Sequence, residues 1–269
     1  MRLLLFLLLF SLPLPALLAQ NGVPPIGGAR ATGMGYTGLT FTDINALFSN
    51  QAGLAGLERT TATAFAEQRF LLAELGSYSF GFALPTSSGT FGLSLNHFGF
   101  ENYNEQRIGL AYGRRLSEKI SIGAQALVLN TQIPEYGSRA VATFELGLQA
   151  ELLPQLQLGI HTYSPVRVSV VGSEYLPSVL RAGIRYAPSD QLQLLAEVEK
   201  DIDYPARAKF GLEYQAAEPL LLRFGAATQP TNVSFGVGYQ VLQQMRLDIA
   251  SSYHEMLGFS PAAGLAWEF

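Results

Sequence analysis

The chain has no cysteine. Disulfides, thiolate zinc sites, cysteine nucleophiles and a lipid-anchored cysteine are all excluded. Charge is scarce as well. Asp, Glu, Lys and Arg make up 14% of the 269 residues, where a soluble domain carries about a quarter. Much of the folded surface therefore need not face water. The net charge is -4, and Arg114-Arg115 is the one adjacent basic pair, so the footprint of a nucleic-acid binder is missing. There is no Gly-x-Ser-x-Gly. The three histidines, His97, His161 and His254, have no second histidine two or four residues away that would mark a local metal motif. No cofactor is expected. Beyond the first twenty residues, no apolar run reaches the roughly eighteen that a membrane helix needs.

What is present begins with Met1-Arg2 and a Leu/Phe-rich run interrupted by Pro13 and Pro15. This pattern reads as a signal peptide over residues 1–19, with cleavage near Ala19-Gln20. Residues 20–59 then form an N-terminal segment and residues 60–269 a single β domain.

From Thr60 onward the chain alternates with period two in segments near ten residues. The expected fold is all-β: an antiparallel transmembrane β-barrel of fourteen strands. Connections after even strands are short, such as Pro188-Ser189-Asp190. Those after odd strands include the longest, 130–140 and 163–177. Short turns on one side and longer loops on the other suit an outer-membrane barrel, with lipid as its partner. One face of 206–215 carries Ala206, Ala208, Phe210, Leu212 and Tyr214. The other carries Arg207, Lys209, Gly211, Glu213 and Gln215. In a barrel the first set faces lipid and the second lines the lumen.

Aromatic residues sort by strand parity. Tyr112, Tyr186, Tyr214, Tyr239 and Trp267 close even strands on the apolar face and should form one interfacial ring. Tyr163 and Tyr253 close odd strands and should belong to the other. The chain ends Trp267-Glu268-Phe269, which resembles the C-terminal signal that the barrel assembly machinery reads.

Charges of both signs fall on the lumenal parity, among them Glu145, Arg181, Glu197, Arg207, Lys209, Glu213, Arg223, Arg246 and Asp248. An ion-pair network bracing barrel and plug is favoured over a selectivity filter. Glycines recur there too: Gly81, Gly92, Gly109, Gly123, Gly147, Gly159, Gly183, Gly211, Gly225, Gly236 and Gly264. Such a band fits close approach by another backbone, or curvature of a small barrel. The candidate occupant is Gly27 to Leu57, rich in small residues and without strand or broad helix periodicity. It reads as a plug; a linker is the alternative. Plug packing is expected at Asn50, Ala52, Gly53 and Leu54 against Gly183, Gly211 and Gly236. Phe70, Leu71, Leu72, Leu127, Leu129 and Leu195 are candidates for an apolar entry site, for contacts beneath a loop cap, or for a docking patch.

The stretch ARATGMGYTGLTFTDINALFSNQAGLAGL resembles the N-terminal signature of the FadL/PorV superfamily of outer-membrane barrels. The superfamily's Asn-Pro-Ala-Gly-Leu element reads Asn50-Gln51-Ala52-Gly53-Leu54, with glutamine in place of proline. The resemblance implies one of two roles, neither enzymatic. PorV-type members are accessory or scaffold proteins of type IX secretion, with secretion-system proteins as partners. FadL-type members admit hydrophobic small molecules. The Gly-Ala-Arg-Ala-Thr-Gly-Met-Gly run resembles the PorV side, which is the expectation taken.

Overall fold

The computed structural model describes residues 27–134, 137–171 and 174–269. The expected signal peptide, 1–19, lies outside the described residues.

Alternating apolar and polar side chains give sixteen strands. They are β1 (Thr61–Gln68), β2 (Gly76–Thr86), β3 (Gly89–Phe100), β4 (Tyr103–Ser117) and β5 (Ile120–Ile133). Next come β6 (Gly137–Leu153), β7 (Leu156–Tyr163), β8 (Ser169–Val171), β9 (Glu174–Tyr175) and β10 (Val179–Ser189). The last are β11 (Leu192–Asp201), β12 (Arg207–Ala217), β13 (Leu220–Ala227), β14 (Asn232–Leu242), β15 (Met245–His254) and β16 (Gly258–Glu268). All but β8 and β9 form one closed antiparallel barrel of fourteen strands, sealed by β1 against β16 with Thr61 opposite Glu268. The two exceptions form a separate hairpin. That hairpin sits in the 163–177 connection, which was expected to be a plain loop. The other expected long loop, 130–140, shortens to a hairpin tip, because Asn130 to Ile133 stay paired with Gly137 to Ala140.

One end of the barrel holds the six short turns and both ends of the sheet; the other holds the longer loops. The apolar face of each strand points outward. Ile108, Leu110, Val128, Phe210, Phe224 and Ile249 are each half exposed or more. An outer wall this apolar is a liability in water. Tyr186, Tyr214, Tyr239 and Trp267 point outward near the turn end, and Tyr112 does so half-buried against Phe91. Tyr253 points outward at the loop end, beside Phe259. Tyr163 does not: it is fully buried inside. It shares the lumenal parity of Gly159 and His161, so strand-end position alone placed it wrongly.

Residues 27–57 fill the turn-end half of the lumen. They form a six-residue helix, α1 (Gly28–Gly33), and two 3-10 segments, Ile44–Phe48 and Gln51–Gly56. Asp43 and Asn50 cap the two segments, their side chains accepting from the amides of Asn45 and Ala52. Met34, Phe41, Ile44, Leu47, Phe48 and Leu54 form the plug's own core, which reaches the wall at Ala83, Ala111 and Leu195. Each large side chain so buried contributes about 1.5–3 kcal/mol.

Candidate functional site

The plug is held by two kinds of contact. The first is steric. A side chain at Gly211, Gly225, Gly123, Gly159 or Gly236 would meet plug backbone: Met34, Gly35, Gln51, Leu39 and Gly33 respectively. At Gly92 and Gly81 it would meet Leu47, and at Gly147 the Asn50 side chain. Gly264 is looser, 3.4 Å from Ala29. Gly183 and Gly109 depart from the expected packing. A Cβ on Gly183 would meet Glu197, 2.5 Å away, and one on Gly109 would meet Ser94 and Gln125, because wall side chains fill the lumen there. Gly113, absent from the expected band, faces the Gln51 carbonyl and Leu54.

Within the plug, Ala52 and Leu54 are fully buried. Gly53 leaves room for the Phe41 carbonyl and for Gln149. Asn50 donates from Nδ2 to the carbonyls of Leu39 (2.8 Å), Leu148 (3.2 Å) and Ile160 (3.3 Å). It thereby ties plug to wall. Glu197 Oε1 accepts from the amides of Gly38 (2.6 Å) and Leu39 (2.8 Å). Gln149 Nε2 serves the carbonyls of Leu39 and Phe41. Irregular backbone inside a barrel needs such partners, and wall side chains supply them.

The second kind of contact is ionic and forms a closed ring. Asp43 binds Arg30 and Arg246, each at 2.8 Å. Arg30 binds Glu213 at 2.6 Å, and Glu213 binds Arg223 at 2.6 Å. Arg223 reaches Asp248 at 2.6 Å, and Asp248 returns to Arg246 at 3.1 Å. Three guanidiniums alternate with three carboxylates, so the ring is neutral. Burial opposes ionisation of Asp43, but the guanidiniums of Arg30 and Arg246 outweigh it and hold its carboxyl far below the usual range. Burial likewise opposes the Arg30 charge, and Glu213 and Asp43 overcome it. The four wall members all have the lumenal parity read from the sequence. Arg30 and Asp43, inside the recognised signature, were not singled out there.

His161 is fully buried between Arg181, at 2.8 Å from Nδ1, and Glu145, at 3.1 Å from Nε2. A guanidinium has no acceptor, so Nδ1 bears the lone pair and the proton sits on Nε2, toward Glu145. Gln51 Nε2 donates to the same carboxylate at 2.5 Å. Gln51 thus has a structural role at the position where the resembled signature has proline. Gln51→Pro should preserve the backbone, since proline suits the first position of a helical segment. It strips a donor from Glu145. The expected loss is about 1.5–3 kcal/mol, read as a lower temperature for the heat-induced mobility shift of the folded barrel on gels. An unchanged transition would show that Glu145 does not depend on Gln51.

Above the plug, at the loop end, lies a cavity of about 520 Å³. Its floor includes Tyr36, Thr37, Gly38 and Ser49; its walls come from β10, β11, β12, β14, β15 and β16 and the Phe70 loop. Tyr36 shares a hydrogen bond with Ser252 (2.6 Å) and donates to Glu67 (3.2 Å). Burial and the Glu67 charge hold its hydroxyl well above the usual phenol range, so it stays neutral. Phe70 and Leu71 both adopt left-handed backbone, at φ 56° and 59°, a conformation that costs about 1–2 kcal/mol per residue. The Phe70 amide donates to Ser260 Oγ at 3.0 Å, and its ring packs edge-on to His254 at 5.9 Å.

The six residues proposed for an apolar entry site are not brought together. Phe70 lines the cavity, while Leu71 and Leu72 are exposed on the rim. Leu127 and Leu129 pack with Tyr163, Leu176 and Val179 beneath the β8–β9 hairpin, which caps the other side of the mouth. Leu195 lies deep, against the plug core. It is the fourth residue of β11, which starts at the turn end, so it lies at the plug's level and not at the outer rim.

No family model and no curated protein matches the chain. Solved structures do. The Pseudomonas putida toluene transporter TodX matches with a TM-score of 0.72 at 14% identity, over 90% of this chain and 98% of that one. The Ralstonia pickettii toluene transporter TbuX matches at 0.69 and 14%, over 90% and 98%. A Pseudomonas aeruginosa FadL homologue matches at 0.63 and 13%, over 90% and 97%. The chain therefore has the barrel fold of a FadL homologue and of two toluene transporters.

Proposed function

We propose that this chain is an integral outer-membrane protein that admits small hydrophobic molecules through the loop-end cavity, with residues 27–57 as the plug beneath it. The observation that carries this reading is the cavity itself: floored by the plug, walled by six barrel strands and the Phe70 loop, and bordered by exposed Leu71 and Leu72 at the rim. The outer wall supports the membrane location, being apolar and edged by aromatic side chains near both ends. The likeness in fold to proteins described as toluene transporters supports the class of cargo. None of the three solved structures is described as a secretion component, and nothing in the geometry favours the type IX accessory role over the channel. The signal peptide at 1–19 and delivery by the barrel assembly machinery belong to the same proposal.

The test is entry of naphthalene into bacteria with an intact lipopolysaccharide layer. Cells expressing the full chain should take it up faster than cells carrying an empty vector; equal rates would sink the channel reading. Facing can be tested separately. Val237→Arg puts a charge on the outer wall and should cost about 2–4 kcal/mol near mid-bilayer, leaving less heat-modifiable barrel in the outer-membrane fraction. Arg207→Leu alters only the lumenal side and should insert like the parent. Equal yields would count against the assigned wall.

A further inference from the structure

The cavity is unlike a site built for alkyl chains. Among its described lining residues, Val179 is the single aliphatic side chain. Its remaining apolar surface comes from the rings of Tyr36, Phe70 and Tyr204 and from Pro177, Pro205 and Pro230. These are flat, rigid faces suited to a planar guest. The cavity also carries an excess of cations: Arg69, Arg181, Arg207 and Lys209, against Glu199 and Asp201.

The pairing inside the cavity identifies where an anion would go. Lys209 is paired with Glu199, and Arg69 with Glu67. Arg181 turns toward the plug and meets two neutral acceptors, the Ser49 carbonyl at 2.7 Å and His161 Nδ1. Arg207 makes no hydrogen bond or ion pair among the described residues, and its Nε is shut off from solvent. Glu199 stands opposite it in the strand register and attracts it electrostatically, but its hydrogen bond goes to Lys209, and its charge is shared with Arg181 as well. The Arg207 guanidinium instead lies over the Tyr36 ring, 5.7 Å from its centre. A guanidinium at this outer range of a cation–π contact keeps its planar fork free, and that fork matches a carboxylate with two parallel hydrogen bonds.

We infer that the cavity takes a small aromatic carboxylate, its ring among Tyr36, Phe70 and the proline faces and its carboxylate on Arg207. This rests on the reading of the cavity as the entry site and narrows its cargo. A neutral hydrocarbon would cover Arg207 without compensating its charge, and an alkyl tail would find one valine and a polar floor.

The experiment is fluorescence titration of the purified full chain in detergent with 2-naphthoate, alongside naphthalene and decanoate. The chain should bind 2-naphthoate more tightly than decanoate. Arg207→Gln should weaken 2-naphthoate at least about tenfold, the effect of losing a charge-assisted bidentate pair, and leave naphthalene within about twofold. Arg207→Lys keeps the charge but not the fork and should fall between. Heat-modifiable mobility establishes that each variant is folded. On the unaltered chain, raising sodium chloride should weaken 2-naphthoate and not naphthalene, which tests the same contact without a substitution. Equal binding of 2-naphthoate by folded Arg207→Gln, tighter binding of decanoate, or a salt-independent affinity would each overturn the inference. If naphthalene binds and 2-naphthoate does not, the inference fails and the channel reading stands. If neither binds, both fall.

Discussion

Asp43→Asn is expected to unseat the plug while leaving the barrel standing. The carboxylate is the plug's own negative contribution to the ring and is shared by two guanidiniums, one from the plug and one from the wall. Its removal leaves three cations facing two anions in a confined space. Breaking one member out of a buried pair costs about 3–5 kcal/mol. The lower end applies, because the Asp43 side chain keeps a quarter of its exposure. Arg30 would keep Glu213 but lose its link to Arg246, so α1 would be tethered on one side only. Two readouts follow: conductance in planar bilayers, near closed for the parent and open for the variant, and protease cleavage within 27–57. Arg246→Gln combined with Asp43→Asn restores neutrality and should recover part of the closure. If the single variant is closed and protected, the ring does not hold the plug. The pH dependence has a definite sign. The folded pKa of Asp43 is depressed, so its stabilising contribution is complete above the ordinary carboxylate pKa, about 4. Below that pH it declines progressively and is gone once pH has fallen through the much lower folded value. Closure should therefore survive mild acid.

How much of this was legible in the sequence varies with the kind of feature. The fourteen-stranded wall and the inward facing of Glu213, Arg223, Arg246 and Asp248 follow from strict alternation, since period two fixes a residue's side once its strand is found. Tyr163 shows that parity outranks strand-end position: it shares the lumenal parity of His161 and is buried inside. Height along a strand is a second coordinate, and it depends on direction. Leu195 lies at the plug and not at the mouth, because β11 rises from the turn end. Partners across the lumen were not readable at all. Nothing in the alternation says that Arg30 reaches Glu213, or that Gly183 backs onto Glu197 instead of the plug. Such contacts depend on how an irregular segment threads a closed space, and that segment has no periodicity to read. The cavity was equally hidden, because its lining is drawn from six strands and several loops.

The second large effect is expected at Gly225, where wall and plug meet backbone to backbone. A Cβ placed there would fall on the amide nitrogen of Gly35 and the carbonyl carbon of Met34, and would lie 2.7 Å from Gly35 Cα. The plug cannot retreat by a side-chain rotation, because the atoms in the way are main chain. Nor can it shift toward the wall elsewhere: a Cβ on Gly35 would itself stand 2.7 Å from Ala226 N and from Phe210 O. Gly35 and Tyr36 both have left-handed backbone, at φ 67° and 64°, so this bend has little freedom to adapt. Overpacking usually costs about 1–3 kcal/mol, and here the rigid partners place Gly225→Val at or above that range. The strands themselves should tolerate valine, which suits a pleated wall. The expected result is thus a barrel that folds and shifts with heat normally but conducts, with 27–57 open to protease. Gly264→Ala supplies the contrast, its nearest neighbour being Ala29 Cβ at an ordinary 3.4 Å; it should remain closed. Gly236→Ala falls between, meeting Gly33 Cα at 3.1 Å. An ordering of conductance that ignores these distances would mean that the glycines serve curvature, and that the plug's hold is ionic alone.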